Sequence, residues 1–176
     1  MTPDVRILLI DDDASDAFLT REALLRSDKS RYQIDTAASV AEAEVQLDHA
    51  TYDLVLLDLN LPESTGLDTL RKMKELVDED VSVIVLTGME DDEKALEMLG
   101  EGAADYICKN DVRSDTITRA VEYTLRRQSL LVELQAANKL LKEKNTRLAK
   151  LYATAQQFVD NVSHEFRTPL TVIREF

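Results

Sequence analysis

The stretch Tyr52–Gly66, YDLVLLDLNLPESTG, decides the fold of this 176-residue chain. Its four apolar residues, Leu54–Leu57, run directly into Asp58. An unbroken apolar run of this kind is typical of a strand that is buried on both faces, as in a parallel sheet. A proline and a glycine in the same stretch then interrupt the chain before a helical pattern resumes at Leu67. Asp58 is therefore expected at the carboxyl end of a strand, where open α/β sheets bind their ligands.

Apolar runs and amphipathic stretches alternate along roughly the first 125 residues. The runs predict strands at Val5–Ile10, Tyr32–Thr36, Leu54–Leu57, Val81–Leu86 and Ala104–Cys108. The stretches between them predict helices at Ser15–Arg26, Val40–His49, Leu67–Val77 and Asp92–Leu99, with a fifth that begins near Val112. Five βα units imply an α/β fold, a flavodoxin-like doubly wound five-stranded parallel sheet of strand order 2-1-3-4-5 with right-handed crossovers.

Charge and composition exclude several classes of protein. The net charge of −13 argues against a nucleic-acid-binding surface, which needs a basic footprint. No apolar run approaches the roughly 18 residues of a membrane span, and no signal-peptide pattern opens the chain. The one cysteine, Cys108, cannot form an internal disulfide, as expected for a reducing compartment. These features predict a cytoplasmic localisation.

Acidic and polar side chains follow the strands at the edge where ligands are expected. Strand 1 ends in Asp11 and Asp12, and strand 3, its predicted neighbour, ends in Asp58. Three carboxylates in one crevice repel each other unless a cation neutralises them, and hard oxygen ligands suit Mg²⁺. Thr87 after strand 4 and Lys109 after strand 5 add a hydroxyl and a positive charge suited to phosphoryl oxygens. Taken alone, a carboxylate at the position of Asp58 is more often a capping residue than a nucleophile or a metal ligand, and the rest of the chain reverses that order.

The complete set predicts a phosphoryl-transfer site. Asp58 is the expected nucleophile and would form an acyl phosphate. Mg²⁺, Lys109 and Thr87 would stabilise the phosphoryl oxygens, so that catalysis is mainly positioning and electrostatics.

Four motifs resemble the receiver domain of two-component response regulators over roughly residues 4–125. They are IDD at Ile10–Asp12, DLNLP at Asp58–Pro62 followed by Gly66, LTG at Leu86–Gly88, and DYICK at Asp105–Lys109. The resemblance implies that Asp58 is the phospho-acceptor, with a phosphodonor histidine kinase or phosphotransfer protein as its partner. It implies further that Asp11, Asp12 and Asn60, the last through its carbonyl, hold the metal with Asp58, and that Thr87 and Tyr106 form a switch pair.

One position departs from the family pattern. Receivers usually carry a proline after the lysine, joined through a cis bond, whereas Asn110 follows Lys109 here. A cis bond before a residue other than proline costs about 2.5–4 kcal/mol, so Lys109–Asn110 is expected to be trans. Two neighbouring residues have simpler interpretations: Asp13 as a loop or helix-start residue, and Tyr106 as an edge-strand aromatic.

A long polar helix is predicted after the sheet, because neither glycine nor proline occurs from Val112 to Ser163. Leu134, Leu141 and Leu148 recur every seven residues. One heptad register pairs them with Leu131, Asn138, Asn145, Tyr152 and Val159, and the other with Leu130, Ala137, Lys144, Leu151 and Phe158. The first is preferred because the second buries Lys144, and asparagine at core positions favours a parallel homodimeric coiled coil. The alternative is a lone helix folded back on the sheet domain.

The helix runs into the stretch Phe158–Leu170, FVDNVSHEFRTPL, which resembles the H-box of histidine kinases. By that resemblance His164 is the autophosphorylated histidine and Thr168 serves phosphatase chemistry. Glu165 can accept the proton of the neighbouring ring and thereby make its other nitrogen nucleophilic.

The predicted organisation is a receiver domain at 1–125, a coiled-coil helix at 126–156 and a truncated phosphoacceptor domain of a histidine kinase at 157–176, as in a fragment of a hybrid sensor kinase. No glycine-rich ATP-binding lid is present in the sequence. Two alternative functions are a metal-dependent phosphohydrolase, for which Asn60 stands where an acid would be needed, and a dimerising scaffold with an inactive receiver.

Overall fold

The computed structural model describes residues 5–26, 32–88, 92–111 and 114–173, without the side chains of residues 92, 93, 111, 114 and 164–173. Five parallel strands form its main sheet: β1 (Val5–Ile10), β2 (Tyr32–Ala37), β3 (Leu54–Asp58), β4 (Ser82–Thr87) and β5 (Asp105–Cys108). They lie in the order β2-β1-β3-β4-β5. The predicted doubly wound sheet and its strand order are confirmed.

The helices are α1 (Ala14–Leu25), α2 (Val40–His49), α3 (Leu67–Leu76), α4 (Asp92–Gly100) and α5 (Ser114–Ile173). Two short elements were not predicted. Asn60–Leu61 pairs antiparallel with Ser64–Thr65, and Lys109–Asp111 forms a 3₁₀ turn. Gly66, at φ 63°, lies between the short pair and α3 in a backbone conformation that side chains disfavour.

The register of the sheet aligns the strand ends that carry the polar residues. Ile10 pairs with Leu57 across β1 and β3, so Asp11 and Asp58 follow at the same edge. Thr87 pairs with Cys108 across β4 and β5, and Lys109 comes next in the chain. Because all the strands are parallel, their carboxyl ends meet at one edge of the sheet.

Both faces of the sheet are buried, which explains the continuous apolar runs. Successive residues of a strand point to opposite faces. Val55 and Leu57 of β3 therefore pack with residues of α2 and α3, whereas Leu54 and Leu56 pack with residues of α1 and α5. All four residues of the predicted run are completely buried, because neither face of the central strand meets water.

The chain divides into two compact units, residues 1–129 and 130–176. In the first unit, Ile117 and Val121 of α5 are completely buried. In the second unit, Leu134, Leu141 and Leu148 form a leucine stripe along α5. Their side chains are more than half exposed, at 57%, 57% and 54%. No helix among the described residues has the length and apolarity that crossing a bilayer requires.

Candidate functional site

Asp11, Asp12 and Asp58 meet at the carboxyl edge of the sheet. Each provides one carboxylate oxygen, and these three oxygens all lie within 4.8 Å of one another. Asp11 and Asp58 are buried, with 4% of each residue exposed, whereas Asp12 is exposed. The sequence-predicted acidic cluster is therefore brought together, with two acids in the floor of the site and one open to solvent.

Two matching local turns orient the buried carboxylates. The backbone N–H of Asp13 donates to Asp11 Oδ1 at 3.0 Å, and that of Asn60 donates to Asp58 Oδ1 at 3.1 Å. In both cases the donor lies two residues after the aspartate, which is the Asx-turn arrangement. One oxygen of each carboxylate is thereby held by the backbone, and the second oxygen of each faces the ammonium of Lys109.

Lys109 neutralises part of this charge. Its Nζ lies 2.8 Å from Asp11 Oδ2, 2.7 Å from Asp58 Oδ2 and 3.0 Å from Asp16 Oδ2. Burial alone would lower the pKa of Lys109, but its hydrogen bonds to the three carboxylates outweigh burial and raise that pKa above its usual value. The lysine therefore carries a permanent positive charge inside the site.

Asp11 shows the cost of placing a carboxylate here. Burial raises the pKa of Asp11, and the neighbouring Asp58 charge acts in the same direction. The hydrogen bond and charge of Lys109 act in the opposite direction without cancelling the effect of burial. A second cation in the site would therefore relieve repulsion that one lysine leaves in place.

The residues after Lys109 take a different course from the family pattern. No cis peptide bond occurs among the described residues, so the Lys109–Asn110 bond is trans, as predicted. The chain turns through the 3₁₀ segment Lys109–Asp111 instead. The ammonium of Lys109 still reaches Asp58, so the loss of the proline does not displace it from the site.

Thr87 and Tyr106, the predicted switch pair, line a cavity of about 400 Å³. Asn60, Leu67 and Met98 are among the other lining residues. Both members of the pair are partly buried. Tyr106 also belongs to β5, an edge strand, so its two predicted roles remain compatible with its position.

The donor set fits a hard divalent cation. Asp11, Asp12 and Asp58 supply three carboxylate oxygens close enough to share one ion, and carboxylates with water are the ligands Mg²⁺ prefers. Asn60 lies two residues after Asp58, the last residue of β3, and it is exposed. Its assignment as a ligand through the carbonyl stays a prediction.

Sequence reasoning missed two long-range contacts made by acidic residues, one of them with the site lysine. Asp16 in the first turn of α1 reaches Lys109, and Glu63 Oε1 accepts a hydrogen bond from the backbone N–H of Val40 at 2.5 Å. Asp16 lies only four residues after Asp12, so its proximity to the strand end was a usable signal. The Glu63 contact joins segments 23 residues apart, and no local pattern indicates it.

The remaining predicted residues belong to the second unit. The backbone of His164, Glu165 and Thr168 is helical, within α5. Their side chains lie outside the described part of the structure, so their predicted roles stay predictions. Asp13, in contrast, caps the start of α1 with Oδ1, which accepts from the N–H groups of Ser15 and Asp16. The helix-start interpretation of Asp13 is therefore confirmed.

Comparison with known proteins identifies the family of the first unit. Residues 7–122 match the family model of the response regulator receiver domain. Regulatory protein VanRB of Enterococcus faecalis is 30% identical over 129 residues, which cover 73% of this chain and 56% of that protein. The virulence transcriptional regulatory protein PhoP of Salmonella typhimurium is 31% identical over 105 residues, or 60% of this chain and 45% of PhoP. The chain thus spans about half the length of these relatives.

Solved structures agree with the sequence matches. The response regulator receiver domain protein (CheY-like) from Methanospirillum hungatei superposes with a TM-score of 0.62 at 27% identity. The superposition covers 72% of this chain and 98% of that one. With the family model matched across the sheet and its acidic edge, this chain belongs to the response regulator receiver domain family.

Proposed function

We propose that Asp58 accepts a phosphoryl group from a histidine-phosphorylated protein in a two-component signalling pathway. The observation that supports this most is the convergence of Asp11, Asp12 and Asp58 within 4.8 Å, with the Lys109 ammonium 2.7 Å from Asp58. Acids from two separate segments and a partly buried cation from a third suit a transferring phosphoryl group.

The transfer is a nucleophilic substitution at phosphorus. A carboxylate oxygen of Asp58 forms the new P–O bond while the bond between phosphorus and the donor nitrogen breaks, and the electron pair of that bond returns to the imidazole. Asp58 needs no general base, because its carboxylate is already the nucleophile. Lys109 places its charge next to the attacking oxygen, and Thr87, at the end of β4, carries a hydroxyl of the kind that can donate to a phosphoryl oxygen.

A divalent ion completes the charge balance of the site. When bound by Asp11, Asp12 and Asp58, with the Asn60 carbonyl as a further ligand, Mg²⁺ would neutralise charge on the phosphoryl oxygens. The chain's own contribution is to hold the carboxylates in place, through the backbone bonds from Asp13 and Asn60.

Phosphate transfer from a small donor tests this proposal. The purified chain, incubated with acetyl phosphate and Mg²⁺, is expected to gain one phosphoryl group, detected by mass spectrometry. Asp58→Asn should abolish the gain, whereas Asp48→Asn, on the exposed surface of α2, should not. A wild-type chain without label under these conditions would contradict the proposal.

The exposed leucines of the second unit support the proposal that the chain forms a parallel homodimer through α5. The leucine stripe of α5 is more than half exposed in the single chain, and a 60-residue polar helix gains little stability unless its apolar residues are covered. Asn138 and Asn145, at core positions of the preferred heptad register, favour an in-register pair of parallel helices.

The same helix is the basis of a second proposal, in which the receiver regulates a histidine kinase. α5 begins after β5 at Ser114 and extends through His164. Phosphorylation of Asp58 would change the packing around Thr87 and Tyr106, and α5 would pass this change toward the phosphoacceptor His164, with Glu165 as its base and Thr168 in phosphatase chemistry. Side-by-side phosphorylation assays of the full-length protein, wild type against Asp58→Asn and His164→Ala, test this regulation.

Two other functions receive less support. A phosphohydrolase with an aspartate nucleophile needs a proton donor near Asp58, and Asn60, whose backbone N–H contacts Asp58, has no acidic proton. Turnover of phosphate esters by the purified chain would favour this function. An inactive scaffold would not need the buried acids and lysine of the site, and failure to phosphorylate Asp58 would favour it.

A further inference from the structure

Asp16 makes a contact with the site lysine that the phosphoryl-transfer scheme does not use. Its Oδ2 lies 3.0 Å from Lys109 Nζ, although the two residues are 93 positions apart. The Asp16 side chain is 44% exposed, whereas those of Asp11 and Asp58 are 0% and 5% exposed. The lysine is therefore held between two buried acids and one acid at the rim of the site.

The backbone of Asp16 is itself fixed. Its N–H donates to Asp13 Oδ1 at 3.2 Å, as part of the cap that starts α1. The side chain leaves a helix turn whose position is set by the segment that also carries Asp11 and Asp12. Asp16 is consequently a well-placed anchor for the ammonium and not a side chain at a loop tip.

The hydrogen-bonding capacity of the ammonium gives this contact its significance. A lysine has three N–H donors, and Lys109 donates to Asp16 and Asp58 while its ammonium also lies 2.8 Å from Asp11 Oδ2. When Asp58 becomes bonded to phosphorus, its carboxylate loses negative charge and its attraction for Lys109 falls. Without Asp16, Asp11 would then be the remaining acid that holds Lys109, and it would draw the ammonium toward the floor of the site.

We propose that Asp16 is a positioning residue for the phosphorylation of Asp58, acting through Lys109. It holds the ammonium at the rim of the site, so that the positive charge stays beside the group that is being transferred. This inference rests on the proposed function. It gives α1 an indirect part in the chemistry, through a residue that touches neither phosphorus nor metal.

Rates of phosphorylation by acetyl phosphate test the proposal. The full 176-residue chain is compared with Asp16→Ala, Asp16→Asn and Asp115→Ala over a range of acetyl phosphate concentrations at saturating Mg²⁺. Asp115 is a matched control, because it is also an exposed acid in the first turn of a helix, that of α5. Its replacement reproduces the lost charge and helix-terminus interaction without the contact to Lys109.

Asp16→Ala is expected to lower the maximal rate about two- to fivefold, the range that a partly exposed ion pair can supply. The acetyl phosphate concentration at half-maximal rate should stay the same or fall, because the rim becomes less negative. Asp16→Asn keeps an oxygen that accepts an N–H, so its maximal rate should lie between those of wild type and Asp16→Ala. Asp115→Ala should match the wild type.

Three results would overturn the inference: an unchanged maximal rate for Asp16→Ala, an equal fall for Asp115→Ala, or a rate for Asp16→Asn no higher than for Asp16→Ala. Thermal unfolding of each variant checks that the rates refer to folded protein, and Asp16→Asn alone is compared with wild type if Asp16→Ala does not fold. A wild-type chain that takes up no phosphate is a different result, because it overturns the proposed function itself.

Discussion

Lys109 Nζ lies 2.7 Å from Asp58 Oδ2, a contact between residues 51 positions apart in the chain. Asp58 ends β3 and Lys109 follows β5, with β4 between these two strands. The contact therefore depends on the lysine side chain reaching across the end of a neighbouring strand. It joins the nucleophile of the proposed reaction to the cation that would stabilise its product.

Replacing this lysine should slow phosphorylation strongly. Lys109→Met keeps most of the length and removes the charge, so the maximal rate with acetyl phosphate should fall by about 10²-fold, as for loss of one preorganised donor in an enzyme site. Lys72→Met, on the exposed surface of α3, is the control and should have the wild-type rate. An Lys109→Met rate within a factor of about two of wild type would show that the ammonium has no part in the reaction.

Magnesium should stabilise the folded chain through the acidic cluster. A ligand that binds only the folded state at ten times its dissociation constant adds about 1.4 kcal/mol to the free energy of unfolding. Asp12→Asn should remove most of this gain, because Asp12 contributes an oxygen to the cluster and is exposed enough to be replaced without disturbing the core. The measurement is the unfolding midpoint with and without Mg²⁺.

Asp13→Asn is the matched control for that measurement. Asp13 adjoins Asp12, but its carboxylate caps α1 and does not belong to the cluster. Its variant should keep the Mg²⁺-dependent rise in midpoint. If both variants lose the rise, or both keep it, then the metal is bound elsewhere or through a different set of oxygens.

The sequence was sufficient for the sheet because its signals are local. The unbroken apolar run Leu54–Leu57 predicts a strand buried on both faces, and all four residues are completely buried. The convergence of Asp11 and Asp58 followed from strand order alone, since parallel strands end at one edge. The third acid on Lys109 was missed although Asp16 lies only four residues after Asp12, because the contact joins residues 93 positions apart and depends on where α1 lies beside the end of β5. The contact between Glu63 and Val40 also joins distant residues, 23 positions apart, and no local sequence pattern predicts it.

Because the pKa of Asp11 is raised, removing the charge of this carboxylate by substitution should increase the free energy of unfolding by an amount that depends on pH. Burial makes the folded chain bind a proton at Asp11 more tightly than the unfolded chain does. The free energy of unfolding therefore gains a contribution as the pH falls through the raised pKa toward the ordinary value of about 3.9. Asp11→Asn removes the charge at every pH. Without Mg²⁺ it should raise the unfolding midpoint at neutral pH, and the difference from wild type should shrink as the pH falls.

The pKa of Asp13 is shifted in the opposite direction, so its effect on stability depends on pH in the opposite way. Hydrogen bonds from the N–H groups of Ser15 and Asp16 lower the pKa of Asp13. Its stabilising contribution is present above the ordinary value and is lost as the pH falls through the lowered pKa. Asp13→Ala should therefore lower the midpoint at neutral pH. A midpoint difference between Asp11→Asn and wild type that stayed constant from neutral to acidic pH would contradict the account of Asp11.

The proposed homodimer predicts unequal effects of two adjacent leucines. Leu141 belongs to the stripe that both heptad registers place in the interface, whereas Leu140 belongs to neither. The two side chains are similarly exposed in the single chain, at 57% and 53%, so burial within one chain does not distinguish them. Leu141→Asp would place two like charges in the interface and should convert the dimer to a monomer in sedimentation equilibrium. Leu140→Asp should remain dimeric, and equal behaviour of the two variants would exclude this interface.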